Sequence, residues 1–236
     1  MYRPPFLRPG DKVALISPAG FIDAHYIDEA LPILRSWGLK PIVGTNAYEK
    51  HGYFAGTDEQ RLADMQWALN DEEIRAIFCT RGGYGSMRIV ENLDYSIFQG
   101  APKWFVGFSD ITVFHAKLNT LGIESLHAPM PKSFNTTNSD ALKKTHDFLF
   151  GKLSSYHLPP HPFNREGLIQ AELIGGNLTL LHCMRATSLE CKWQSPILFM
   201  EDVGENLYAI DRMLQSLKLS QKFDKLQGVL LAIFPI

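Results

Sequence analysis

The sequence predicts an α/β protein: a mostly parallel sheet with helices on both faces, followed by a smaller second α/β unit. Two observations carry this. Short apolar runs alternate with stretches of helical spacing through the first half of the chain, the pattern of a parallel sheet with crossover helices. A polar, proline-containing interval at 131–166 then separates that half from a second set of alternating elements. The chain of 236 residues can hold one large domain or two modest ones, each with its own core.

The elements follow in order. Val13 to Ser17 is an apolar run closed by Pro18-Ala19-Gly20, which reads as a buried strand and its turn. Residues 25–37 put Ile27, Leu31 and Leu34 on one helical face, and Pro32 predicts a late start or a bend. Gly38 ends that helix, and Leu39 to Val43 is the next strand. Thr57-Asp58-Glu59-Gln60 fits a capping box, and Leu62, Met65 and Leu69 follow at helical spacing. Ile74 to Thr80 reads as a strand broken by Gly82-Gly83-Tyr84-Gly85 before another helix. Trp104 to Phe108 is a strand, Asp110 to Leu121 a helix, and Gly122 its C-terminal stop. Between 131 and 166 helical pattern appears only around 140–150. Beyond it come a strand near 168–174, a helix from Asn177, a strand Ile197 to Met200, a helix Tyr208 to Leu217, and a strand Val229 to Phe234. The expected organisation is 1–130 as an N-terminal α/β domain, 131–166 as the connection, and 167–236 as a partial C-terminal domain.

Composition narrows the function classes. Hydrophobic residues make up 45% and charged residues 20%, ordinary for a globular enzyme. A net charge of -2 supplies no basic field for nucleic acid or acidic lipid, so neither is an expected partner. The three cysteines, Cys79, Cys183 and Cys191, have no disulfide-framework spacing and are expected to be reduced. That points to a cytoplasmic setting. The N-terminus shows no signal-peptide apolar region, and no apolar stretch reaches bilayer length.

Three segments can carry chemistry. In Val106-Gly107-Phe108-Ser109-Asp110 an apolar strand runs into a serine and directly into a helix, the arrangement of a nucleophile elbow. Ile111 stands where the second glycine of G-x-S-x-G would be, and the same spacing suits an ordinary N-cap serine with Asp110 in the first turn. Arg81-Gly82-Gly83-Tyr84-Gly85 lies at the C-terminal end of a strand, where open α/β sheets bind ligands. Its glycines let backbone N–H groups approach an oxyanion or a phosphate, and the same residues suit a plain turn. Arg81 and Gly82 are substrate-binding candidates there. Glu201 and Asp202 follow the strand Ile197 to Met200, placed to orient a histidine, to cap the next helix, to bind a metal, or to stay solvated. No metal site is expected: Pro159 and Pro160 forbid the helix that would align His157 with His161. His115, in the helix after Ser109, reads as a packing residue.

Together these pieces resemble the LD-carboxypeptidases, serine peptidases that include murein tetrapeptide carboxypeptidases and microcin-immunity peptidases. The matching segments are Pro9-Gly10-Asp11-Lys12-Val13 with Ser17-Pro18-Ala19, then Arg81 to Gly85, and Gly107 to Thr112. They continue with His127-Ala128-Pro129-Met130, Gly175-Gly176-Asn177-Leu178, and Glu201 to Glu205 leading to Ile210-Asp211-Arg212. The resemblance implies Ser109 as nucleophile, Glu201 as triad carboxylate, and the N–H groups of Gly83 and Asp110 as oxyanion donors. It implies a flavodoxin-like N-terminal domain, a smaller C-terminal α/β domain, a peptide substrate of cell-wall origin, no cofactor, and a homodimer as the expected assembly. The expected reaction is removal of a C-terminal D-alanine from cell-wall tetrapeptides in peptidoglycan recycling.

The resemblance also places the triad histidine well after the glutamate, whereas the last histidine here is His182. The C-terminal domain is therefore expected to be incomplete, Glu201 to lack a histidine partner, and hydrolysis to be impaired. A peptidase of microcin-immunity type, a non-catalytic muropeptide-binding protein and a truncated remnant are the alternatives.

Overall fold

The computed structural model describes residues 1–152, 155–158 and 160–232. Strands and helices alternate through the first half: β1 (Lys12–Ile16), α1 (Ala24–Ser36), β2 (Lys40–Val43), α2 (Asp58–Asn70), β3 (Ile74–Cys79), α3 (Ser86–Ile89), α4 (Ser96–Gly100), β4 (Trp104–Gly107), α5 (Thr112–Thr120) and β5 (Leu126–His127). After α6 (Ser139–Leu149) the second half holds β6 (Leu173–Asn177), α7 (Leu178–Cys183), β7 (Ile197–Glu201), α8 (Leu207–Leu219) and β8 (Gly228–Leu231).

The first five strands form one parallel sheet in the order β2-β1-β3-β4-β5. That is the flavodoxin-like order, with its switch point between β1 and β3. Alternate residues of β1 serve opposite faces. Ala14 and Ile16 pack with Met65, Ala68 and Leu69 of α2. Val13 and Leu15 pack with Ile27, Ala30 and Leu34 of α1 and with Leu149 of α6. Both faces are covered, as a parallel sheet requires. The second sheet is also parallel, β6-β7-β8. Its core residues Ile174, Leu198 and Met200, with Leu178 of α7, join the cluster that contains Val113 and Phe114 of α5. Helix α5, which follows Ser109, is thus the packing element shared by the two sheets.

Several boundaries differ from expectation. Helix α1 starts on time at Ala24 and continues through Pro32. Both Pro32 and Asp28, whose carbonyl loses its partner, are exposed, so water can satisfy the freed group. The strand expected near 168–174 begins only at Leu173, paired with Ile197. Pro196, immediately before that partner, has no N–H to extend the ladder. The last strand covers Gly228–Leu231; Ile233 and Phe234, expected within it, lie outside the described residues. The capping box of α2 forms in both directions, with Thr57 Oγ1 accepting from Gln60 N and Gln60 Oε1 accepting from Thr57 N.

Candidate active site

Strand β4 ends at Gly107, Phe108 is extended, and Ser109 turns into the left-handed region at φ 62. A single 3₁₀ turn, Ser109–Ile111, then leads into α5. Left-handed backbone costs a non-glycine residue roughly 1–2 kcal/mol. Burial of Ile111, Val113 and Phe114 behind the turn holds it in place. Gly107 is required by the same packing, because a Cβ there would lie 2.8 Å from Ile111 Cγ2. The residue that replaces the motif's second glycine thus fills the space left by its first. Ser109 does not serve as a helix cap. The residues at the cap positions of the 3₁₀ turn and of α5 are Phe108 and Ile111.

The glycine loop lies directly against this elbow. A Cβ on Gly82 would come 2.9 Å from Ser109 Cβ, 3.0 Å from its Oγ and 3.2 Å from the backbone nitrogen of Asp110. Gly83 follows at φ 107, with the Tyr53 hydroxyl 2.9 Å from where its Cβ would sit. The backbone of Gly82 is fixed from the other side, where its carbonyl accepts from Gly20 N at 3.1 Å. Arg81 donates from Nη1 to the Phe21 carbonyl at 2.6 Å. Buried Arg61 ties the two strand-end loops together, donating to the carbonyls of Pro18 (2.7 Å) and Gly85 (3.0 Å) and pairing with Asp58. The Asp110 carboxylate is buried and accepts from Ser86 N at 2.9 Å. Burial raises its pKa, while the hydrogen bonds from Ser86 work the other way. The Ser109 side chain and the Asp110 backbone nitrogen therefore both lie against Gly82, and Gly83 is next in the loop.

The acidic segment separates into two roles. Asp202 is buried and fully engaged: Oδ1 accepts from Asn177 Nδ2 and Val203 N, and Oδ2 from the Thr179 N and hydroxyl. It caps α7. Glu201, at the end of β7, turns elsewhere. Its Oε1 is buried without a hydrogen bond and faces His127 Nε2 at 3.7 Å, an atom equally buried and unpartnered. His127 thus faces Glu201 with no hydrogen bond between them, which leaves the expectation that Glu201 lacks a histidine partner neither met nor overturned. The separation is longer than a hydrogen bond. His127 reaches this position because β5 pairs with β4, setting it beside Gly107. The second sheet is positioned at the elbow by Thr112, whose Oγ1 accepts from Asn177 N at 3.0 Å, and Asn177 pairs with Glu201 in the ladder.

His115 is no candidate base. Its Nε2 donates to the Gly107 carbonyl at 2.9 Å, which leaves Nδ1 to accept from the Ser125 hydroxyl at 2.8 Å. Burial, with His127 nearby, holds its pKa down at about 3, so the ring is neutral. Arg61 escaped the reading of the sequence, and so did the meeting of His127 with Glu201. Arg61 lies within an ordinary amphipathic helix, and its role depends on loops far away in the chain. His127 belongs to a visible motif, but its facing partner sits in another sheet. Among the described residues no cluster of three or more His, Cys, Asp or Glu side chains is placed to hold a metal ion, and no helix is long and apolar enough to cross a membrane.

Residues 13–128 match the LD-carboxypeptidase N-terminal domain and residues 170–235 the LD-carboxypeptidase C-terminal domain. The probable murein peptide carboxypeptidase of Bacillus subtilis (strain 168) is 36% identical over 240 residues, covering 99% of this chain and 75% of that protein. The crystal structure of a muramoyltetrapeptide carboxypeptidase from Oxalobacter formigenes superposes with a TM-score of 0.84 at 28% identity, over 94% of this chain and 76% of that one. The microcin C7 self-immunity protein MccF shares the fold, with a TM-score of 0.86 at 21% identity over 98% of this chain and 80% of that one.

Proposed function

Because the chain belongs to the LD-carboxypeptidase family, we propose that Ser109 is the nucleophile of a serine-type carboxypeptidase that removes the C-terminal D-alanine from cell-wall tetrapeptides. The observation that carries this reading is the left-handed turn at Ser109, packed against Gly82 at the C-terminal edge of the sheet. Such an elbow exposes the hydroxyl and sets the start of a helix beside it. Identity to murein-peptide relatives, higher than that to MccF, favours a muropeptide over a peptidyl-nucleotide amide.

In this reading Ser109 Oγ attacks the carbonyl that precedes D-alanine. Its proton passes to a histidine base and then to the departing amine, and water resolves the acyl-enzyme. The N–H groups of Asp110 and Gly83 receive the oxyanion, and Glu201 orients the base. Arg81 and Gly82 line the substrate side. The 236 residues contain no histidine after Glu201. A polypeptide of these residues alone is expected to turn over slowly, because loss of a triad histidine costs on the order of 10⁶ in a serine peptidase.

The test is D-alanine release from muramoyl-tetrapeptide. It compares this polypeptide with one that also carries the remaining C-terminal segment of the Bacillus relative, each with and without Ser109→Ala. Release by the longer protein that disappears in Ser109→Ala supports the reading. Undiminished release by Ser109→Ala removes Ser109 from the chemistry and with it the proposal.

A further inference from the structure

We propose that His127 is a positioning residue for Glu201: its Nε2–H donates to the Glu201 carboxylate and fixes the orientation in which that carboxylate meets the catalytic base. The inference rests on the reading of Glu201 as the carboxylate of the site, and it adds a residue to which that reading gives no role.

Two orphaned atoms face each other across the two sheets. Glu201 Oε1 and His127 Nε2 are both buried, neither has a hydrogen-bond partner, and they lie 3.7 Å apart. A buried polar atom left unpaired costs about 1–3 kcal/mol, so two facing each other form a pair that gains by closing. A bridging water does not fit the gap well. Two hydrogen bonds of roughly 2.8 Å meeting at a tetrahedral angle span about 4.5 Å, more than the separation observed. Contraction by less than an ångström instead makes a direct charge-assisted bond.

The surroundings favour this pairing over its rivals. The neighbouring carboxylate, Asp202, is consumed by Asn177, Thr179 and Val203 and does not compete for the imidazole. The neighbouring imidazole, His115, is held neutral by burial and by its own bonds, so it brings no positive charge toward His127. The His127 ring is also located by packing: it meets the Phe199 ring edge-on at 5.0 Å and the Phe108 ring at 5.9 Å. Phe199 is on β7 with Glu201, and Phe108 immediately precedes Ser109. The imidazole therefore lies between the nucleophile's strand and the carboxylate's strand, in contact with both.

Two measurements test this. In the first, ring nitrogen NMR of the protein is recorded before and after Glu201→Gln. The expected result is the Nε2–H tautomer at His127, with its signal displaced by the substitution. A His127 ring protonated only at Nδ1, or one indifferent to Glu201→Gln, overturns the pairing whatever the kinetics show. The second is a double-mutant cycle on D-alanine release by the active protein, using His127→Phe, which keeps the ring packing, and His127→Gln, which keeps a donor. The expected loss for His127→Phe is on the order of 10²-fold in kcat with KM within about twofold, the scale of an ångström-level misplacement. His127→Gln is expected to recover most of that loss, and His127→Phe to add nothing once Glu201→Gln is present. Losses that add in the double variant, or equal losses in the Phe and Gln variants, overturn the positioning role. If Glu201→Gln itself leaves turnover unchanged, the assignment of Glu201 fails, and the NMR result alone decides whether the two side chains pair.

Discussion

At the scale of single residues, the site depends on missing side-chain atoms as much as on those present. Gly82→Ala places a methyl group 2.9 Å from Ser109 Cβ and 3.0 Å from its hydroxyl. Either Ser109 or the loop must move, and D-alanine release is expected to fall about 10²-fold. Thermal unfolding of the variant should drop by no more than the roughly 1–3 kcal/mol typical of local overpacking. An alanine variant as active as the parent would show that the loop yields freely. His115 supplies a second prediction. Its pKa, about 3 against an ordinary 6.5, means that the unfolded chain takes up a proton first as the pH falls. The stability this contributes is complete above about pH 6.5 and declines from there toward pH 3, by up to about 1.4 kcal/mol per pH unit. His115→Gln keeps a donor for the Gly107 carbonyl but cannot titrate. Denaturant unfolding between pH 7 and pH 4 should therefore show a shallower loss for the variant, and parallel losses would contradict the assignment.

At the scale of elements, neighbouring residues on one strand end have opposite duties. Asp202→Ala removes a buried carboxylate from two backbone N–H groups, an amide and a hydroxyl around the start of α7. It should destabilise the protein by roughly 2–4 kcal/mol, combining a lost cap with charge-assisted bonds. Glu201→Gln should leave unfolding nearly unchanged and reduce turnover. Calorimetry and D-alanine release on the same two variants check the division, and a reversed pattern would exchange the roles. The same segment shows what sequence can reveal. Glu201 and Asp202 are adjacent acids at a strand exit, and only the partners of Asp202 in α7 tell them apart. The Ser109 elbow was legible because its signals are local: an apolar strand, a small residue two positions earlier, and a helix starting at once. The capping box of α2 was legible for the same reason. Strand β5 was not, because two residues cannot display a period. The meeting of His127 with Glu201 was hidden because it joins two separate sheets.

At the scale of the whole molecule, we propose a division into an N-terminal unit of residues 1–130, a connection of 131–166 and a second unit from 167. Part of that connection has its own packing, since Phe134 and Leu149 are buried against the first sheet. The exposed stretch comes later: residues 160–170 are all exposed, and Phe163 and Leu168 are almost entirely so. A protease needs several residues of unconstrained backbone, and exposed loops supply it. Limited trypsin digestion is expected to cut first after Arg165, leaving two fragments that mass spectrometry can identify. They should remain associated through the α5 cluster, which carries side chains from both sheets. A first cut within either sheet, or fragments that part on gel filtration, would count against this division.

The left-handed turn at Ser109 also sets an evolutionary exchange rate between durability and use. Glycine is the one residue for which that backbone carries no penalty, so Ser109→Gly should raise the melting temperature while it eliminates turnover. Selection for activity keeps the chain on the less durable side of that exchange. A descendant freed from its task could become sturdier by a single replacement, and glycine at this position in an otherwise intact relative would mark a lineage that has stopped working.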